Sequence, residues 1–302
     1  MKTAVVLAGA GLLTAVAAPL LASEFWTFVF IEMLVFSLYA VSFNLLLGYG
    51  GMLAFGHAVF FGIGAYSLAI MMKKLAFGAL AAAILSPVVA GIAGGIIGYF
   101  CVRLTGIYFG MLTFAFQMLV YTVVFKSYDL TGGDDGLSGL DAGGWAASPR
   151  GLYYVTLVTV AASLWLLLRL VRSPFGLALR AQKDNDRKSL SVGIDVHFHR
   201  WVTVVIAAVF AGLAGALFAL ANHSVFPGWL SWTASATPIV MTVLGGMHHF
   251  AGPVVGAVIY VLLQTWLTGL TEYWALFLGS AIMIIVLLMP GGITSLFRSH
   301  AS

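Results

Sequence analysis

The stretch GGMLAFGHAVFFGIGAY, residues 50–66, decides how this chain is read. Five glycines and one histidine interrupt a run otherwise suited to hydrocarbon. A glycine inside a helix costs about 1 kcal/mol relative to alanine. Broken backbone at membrane depth is tolerated only where it is buried in protein or lines a water-filled cavity. Such a stretch marks a close-packed seam or a pathway, provided that the chain lies in a membrane, and the surrounding composition supplies that condition. Of 302 residues, 62% are hydrophobic and 8% charged, against about 25% charged in soluble domains. No water-soluble fold of this size hides so much apolar surface.

A helical span needs roughly 20 apolar residues. Uninterrupted spans fall near 4–22, 26–47, 76–102, 104–125, 151–171, 201–221, 253–270 and 273–289, and interrupted ones near 52–72 and 233–250. The expected fold class is an all-α polytopic membrane protein with about 8–10 transmembrane helices, two of them broken or re-entrant, in a single transmembrane domain over 1–302. The ten-residue alternation of an outer-membrane barrel is missing. The segment VVLAGAGLLTAVAAPLLAS after Lys2 resembles a secretory signal with Ala22 near the cleavage point, but its apolar run is long, so a first helix is expected. The single cysteine, Cys101, excludes a disulfide within the chain.

Two loops carry the charge. Residues 126–150 hold two basic residues against Asp129, Asp134, Asp135 and Asp141; residues 169–200 hold seven of the fourteen Lys and Arg against three Asp. Loops rich in Lys and Arg stay cytoplasmic, which places the basic loop inside, the acidic loop outside and 151–171 between them. With ten spans Lys2, Arg103 and Arg298 also fall inside, whereas Lys73 and Lys74 fall outside against the rule. Within the basic loop, Ser173-Pro174 reads as a helix start and Gly193 as its stop. Phe175, Ala178, Leu179 and Gln182 share one side of this expected helix, with Arg180, Lys183, Asp184 and Arg187 over much of the rest. Such a helix suits docking to a soluble partner, or a solvated connector near anionic headgroups. The net charge of +4 comes without a Lys/Arg stripe interleaved with aromatics, so no nucleic-acid partner is expected.

The opening stretch has an echo at 245–260, GGMHHFAGPVVGAVIY, where Gly-Gly-Met-x-x-Phe recurs. Interrupted segments in corresponding halves point to an internal repeat, here 26–125 and 201–290, and to a transport pathway at the breaks Gly50-Gly51 and Gly245-Gly246. Gly56, Gly62 and Gly64 also suit a packing seam. Asn44, His57, Tyr66, Tyr108, Thr113 and Gln117 are uncharged polar residues in apolar spans, and Phe60 and Phe61 suit an apolar gate. An uncharged path would bind a small polar solute weakly, although each of these residues is also explicable as structure.

Four stretches in order carry a resemblance to a known family: NLLLGYGGMLAFGHAVFFGIGAY at 44–66; RLTGIYFGMLTFAFQM at 103–118 with LTGGDDGLSGL at 130–140; RSPFGLALRAQKDNDRKSLSVGIDV at 172–196 with AAVFAGLAGALFAL at 207–220; and MTVLGGMHHFAGPVVGAV at 241–258 with MPGG at 289–292. The chain resembles the permease subunit of a branched-chain amino acid ABC importer, over about residues 35–292. Ala54 stands where such proteins usually have serine, and His248 and His249 where they have aliphatic or small residues. The resemblance implies a second homologous permease subunit, two cytoplasmic ATPase subunits holding ATP and Mg, and a soluble substrate-binding protein, with the chain multi-pass in a bacterial-type inner membrane. It implies that Phe175, Gly176, Arg180, Asp184, Asn185 and Gly193 belong to the ATPase-coupling element. The outer loop with Gly132, Gly133, Asp134, Asp135 and Gly136 would face the binding protein. No cofactor of its own is expected, since GxxxxGK[ST] does not occur.

Three other readings bear on the same residues. An ion-coupled secondary transporter needs carboxylates deep in the membrane, but the only glutamates, Glu24, Glu32 and Glu272, lie near span ends. A metal site is disfavoured because His197-x-His199 and His248-His249 lack zinc spacing, and the nucleophile elbow GxSxG is missing. A related permease for urea, short amides or aromatic acids stays open.

Overall fold

The structure, a computed structural model, describes residues 23–140, 143–144, 148–289 and 291–294. Helix α1 (Glu24–Asn44) continues as a π-helical turn (Leu45–Tyr49) and is followed by irregular chain before α2 (Ala58–Lys73), α3 (Ala79–Cys101) and α4 (Ile107–Lys126). The acidic loop holds α5 (Tyr128–Thr131), a 3-10 turn (Gly133–Asp135) and β1 (Leu137–Ser138). Then come α6 (Pro149–Arg172), α7 (Pro174–Asp184), α8 (Asp186–Ser191), α9 (Val196–Asn222), β2 (Ser224–Val225), a 3-10 turn (Pro227–Leu230), α10 (Trp232–Gly245), α11 (Gly252–Thr268) and α12 (Trp274–Leu288). Five described helices, α1 with its extension, α3, α4, α6 and α9, are long and apolar enough to cross a membrane, and α2, α11 and α12 are shorter apolar helices. The chain is an all-α polytopic membrane protein.

Each uninterrupted span expected after residue 23 is a helix within a few residues of its anticipated ends. The expected span 4–22 lies outside the described residues. The two interrupted spans are helical only in part: the first from Ala58, the second only to Gly245. Local chemistry sets several boundaries. Ser148 accepts from the Gly151 amide at 3.1 Å, and Pro149 opens α6, whose last turn carries Arg169 and Arg172 against the helix dipole. Asp195 accepts from the Phe198 amide at 3.0 Å and starts α9.

The basic loop differs from expectation. A single helix was expected from 174 to Gly193, but the chain breaks at Asn185 into α7 and α8. The Asn185 side chain accepts from the Lys188 amide at 3.0 Å, a local bond that competes with continued helix. Ser173 does not cap α7; its hydroxyl donates back to the Leu170 carbonyl at 2.6 Å, leaving Pro174 to set the start. Gly193 ends the second piece with φ +84°.

Helices α1 and α9 form the middle of the bundle, 78% and 61% buried in their most apolar stretches, while α4 is only 22% buried. The centre is a seam of small residues. Ala207, Ala208, Ala211, Ala214, Ala216 and Ala219 of α9 are buried to 0% exposure. A side chain on Gly64 would collide with the Gly212 backbone, and one on Gly215 with the Phe61 backbone. Small residues let membrane helices approach until backbones touch, replacing a hydrophobic drive that lipid does not supply.

At the acidic-loop end, β1 pairs antiparallel with β2, Leu137 opposite Val225 and Ser138 opposite Ser224. The His223 Nδ1–H donates to the Leu140 carbonyl at 3.0 Å and the Leu140 amide to the His223 carbonyl at 3.0 Å. The acidic loop is thereby pinned to the end of α9. Lys73 reaches the same end, beside Gly139.

Candidate functional site

Helix α2 begins inside the bundle, where its free N-terminal amides cannot reach water. Such groups need partners at membrane depth. The Ala58 amide donates to Ser235 Oγ at 2.9 Å, the Ser235 hydroxyl donates to Gln117 Oε1 at 2.8 Å, and Gln117 Nε2 donates to the Leu230 carbonyl at 2.8 Å. This ladder joins α2, α4, α10 and the Pro227–Leu230 turn. Beside it, the Gly56 amide reaches Thr113 Oγ1 at 3.4 Å, and Thr113 donates to the Gly110 carbonyl at 2.7 Å. Gln117 and Thr113, singled out from sequence, thus hold the break together. Ser235 was missed; a lone serine in an apolar span was its only signal. Replacing Ser235 by alanine strands the Ala58 amide and Gln117 Oε1, each unsatisfied group costing about 1–3 kcal/mol. Ser235→Ala is therefore expected to lower the thermal midpoint of the purified protein, with Ser235→Thr retaining it; an unshifted Ser235→Ala midpoint would contradict the ladder.

His57 is fully buried among Tyr39, Phe43 and Phe60, with ring centroids 5.4, 5.4 and 5.7 Å away. Its Nε2 lies 3.0 Å from Ser42 Oγ. The Ser42 proton is spent on the Tyr39 carbonyl at 2.7 Å, so His57 donates from Nε2 and leaves Nδ1 as an unprotonated acceptor. Among the described residues, His57 Nδ1, the Asn44 side-chain amide and the Tyr66 hydroxyl are buried without a hydrogen-bond partner. Phe60 and Phe61 are packed in the core, Phe61 within 4.7 Å of Tyr39 and 5.7 Å of Phe218. The glycines of the opening stretch divide by role. Gly56 lies against the Thr113 backbone, Gly62 against Leu230 and Gly64 against Gly212. Tyr108 alone among the sequence-selected polar residues lies on the outside, 67% exposed on α4.

The second break mirrors the first in local structure. Each glycine pair, Gly50-Gly51 and Gly245-Gly246, is followed within eight residues by a new helix, at Ala58 and Gly252. The two breaks adjoin, since space at Gly48 is closed by the Asn44 amide and the Met247 carbonyl. Gly246 has φ +107°, which an L side chain avoids, and Thr294 donates to the Gly245 carbonyl at 2.7 Å. His248 and His249 are exposed beside it.

The charged helix α7 lies directly on the first break. Lys183 Nζ donates to the Gly48 carbonyl at 2.8 Å, and the Arg180 guanidinium sits 4.9 Å from the Tyr49 ring centroid. Leu179, fully buried, packs on Gly50, while the Lys183 stem covers Gly51, whose φ of +66° suits glycine. Sequence reading grouped Leu179 and Gln182 on one side, and both are buried, at 0% and 2% exposure. Periodicity places Lys183 in the charged cover; its position one turn after Leu179 is the signal for its contact with the break. Phe175 stacks on His199 at 5.3 Å, Gly176 sits against the Val171 backbone, and Asp184 ends α7. A 2.6 Å ion pair joins Arg200 to Asp186. Across the bundle, Gly132, Gly133 and Gly136 have φ of +76°, +59° and +65° and fold the acidic loop around the exposed Asp134 and Asp135.

Comparison with known proteins places the chain in a family. The family described as branched-chain amino acid transport system / permease component matches residues 25–287. The chain is 28% identical, over 95% of its own length and 74% of the relative's, to the high-affinity branched-chain amino acid transport system permease protein LivM of Salmonella typhimurium. It is 24% identical, over 85% and 90% respectively, to the corresponding permease protein LivH of Escherichia coli. A probable LivM protein of Methanocaldococcus jannaschii is 27% identical over 60% of this chain and 55% of its own. No solved structure matches. On a match that covers nearly all of the described helices, the chain belongs to the family of branched-chain amino acid transport permease components.

Proposed function

We propose that the chain is the permease subunit of an ATP-driven importer that moves branched-chain amino acids across a bacterial-type inner membrane. The observation that carries this reading is the grip of α7 on the first break: a charged, displayed helix holds the interrupted membrane helix through Lys183 and Arg180. Phe175, Gly176, Arg180, Asp184, Asn185 and Gly193 form the element that meets a cytoplasmic ATPase subunit, one of two that hold ATP and Mg. The loop 172–200 is then cytoplasmic. Gly132, Gly133, Asp134, Asp135 and Gly136 face a soluble substrate-binding protein on the other side. The halves 26–125 and 201–290 are a repeat, each contributing one break.

The path is placed between this chain and a second homologous permease, along α4 and α10. That face is bare in the single chain and carries a cavity of about 460 Å³ lined by Phe55, Met111, Phe114, Trp232 and Ser235. Ser235 in its wall is bonded to Gln117 and to the Ala58 amide next to His57, and among the described residues Asn44, His57 and Tyr66 keep buried polar atoms without a partner. Uncharged groups offer a zwitterion polar contact without the grip of a fixed charge. Thiol labelling tests the placement, because the only native cysteine, Cys101, is buried. In the assembled transporter, Met111→Cys is expected to react with a water-soluble maleimide in one nucleotide state and to be protected in the other. Protection in both states, as for a site facing lipid, would contradict the placement.

A further inference from the structure

On the outside of the bundle, between α3 and α9, two cavities of about 420 and 670 Å³ share Tyr99 and Trp201 and so form one groove. Gly91 and Gly95 hollow its floor, and Ile92 and Ile96 stand at its side, 60% and 58% exposed. The Trp201 indole N–H donates to the Gly95 carbonyl at 2.8 Å. Its one polar atom is thereby spent, and the ring offers only carbon to the groove. The mouth is different in kind. Arg103 and His197 line it at the basic-loop end, and the Arg103 guanidinium lies 4.6 Å from the Tyr99 ring centroid. Among the described residues, Arg103 has no carboxylate within ion-pair distance. Asp195, two residues before His197 at the start of α9, is engaged by the Phe198 amide.

An apolar trough that ends in an unpaired cation matches one kind of molecule in a bilayer. From Val88 to Arg103 the groove follows α3 for about 20 Å at about 1.5 Å per residue. A leaflet's share of a hydrocarbon core of about 30 Å is about 15 Å. The trough is long enough for one acyl chain with its phosphate at the mouth. We propose that this groove holds an acyl chain of an anionic phospholipid of the basic-loop leaflet, with the headgroup on Arg103 and His197. The proposal does not depend on which solute the protein carries.

The test uses the full chain with its co-purifying subunits, in nanodiscs of phosphatidylcholine with a minor fraction of phosphatidylglycerol or phosphatidylcholine brominated on its acyl chains. Bromine quenches tryptophan on contact, and subtracting the Trp201→Phe signal isolates Trp201. Quenching by the brominated phosphatidylglycerol is expected to exceed that by brominated phosphatidylcholine about fivefold at equal fraction, the preference one basic residue gives near a membrane surface. Arg103→Gln should bring that ratio to about one, and Arg103→Lys should keep it. Gly95→Leu should lower quenching by both lipids; a Cβ at Gly95 meets Trp201 only at 3.7 Å, an ordinary contact. Equal quenching by both lipids in the native protein would overturn the proposal, since the groove would then hold only passing annular lipid. So would Trp201 unquenched by either lipid, since protein would then cover the groove.

Discussion

Replacing Gly64 by leucine is expected to abolish the folded protein. The Cβ of any residue at 64 would run into the Gly212 backbone, and both α2 and α9 are held in place by further small-residue contacts. Overpacking a core commonly costs about 1–3 kcal/mol when side chains can move aside. Here the obstacle is main chain, which has no alternative rotamer, so the cost lies above that range and approaches the whole of a typical folding stability of about 5–15 kcal/mol. At Gly62 the neighbour is the Leu230 side chain, and substitution should be milder. Size-exclusion profiles of detergent-extracted protein provide the measurement, with Gly279→Ala as control because nothing lies within 4 Å of that position. A monodisperse Gly64→Leu protein at native yield would contradict the α2–α9 seam.

The largest functional effect is expected from Arg180→Ala combined with Lys183→Ala. Both side chains are exposed, so the chain should fold and insert normally. What disappears is the charge-assisted bond from Lys183 to the Gly48 carbonyl and the contact of Arg180 with Tyr49. Discounted for exposure, the pair contributes about 1.4 kcal/mol, equivalent to about a tenfold change in the coupling equilibrium. Solute uptake per ATP hydrolysed should fall by about that factor, while basal hydrolysis by the partner ATPases persists. Lys188→Ala, on α8 and away from the break, is the control. Unchanged coupling in the double variant would remove the α7 grip from the mechanism.

The sequence made the helices legible because apolar runs of membrane length admit few alternatives. Spans at 76–102 and 151–171 correspond to α3 and α6 with small shifts at their ends. The breaks were legible too, since glycine pairs beside histidines stand out against hydrocarbon. Which glycine meets which neighbour was not legible: that Gly64 meets Gly212, 148 positions away, follows only from how α2 crosses α9. The division of α7 from α8 escaped because helical periodicity continues across Asn185, whereas one side-chain bond to Lys188 decides the matter. Ser42 and Ser235 escaped for a similar reason. A serine in an apolar span gains meaning only from the orphan group it faces, His57 in one case and the Ala58 amide in the other.

Uptake of labelled leucine tests the central claim most directly. It requires vesicles containing this chain, a second permease, two ATPases and the soluble binding protein. The expected result is leucine accumulation that needs ATP inside the compartment facing the 172–200 loop, disappears when this chain is omitted, and exceeds that of urea or an aromatic acid. Accumulation driven by an ion gradient without nucleotide, or none for leucine under any nucleotide condition, would contradict it.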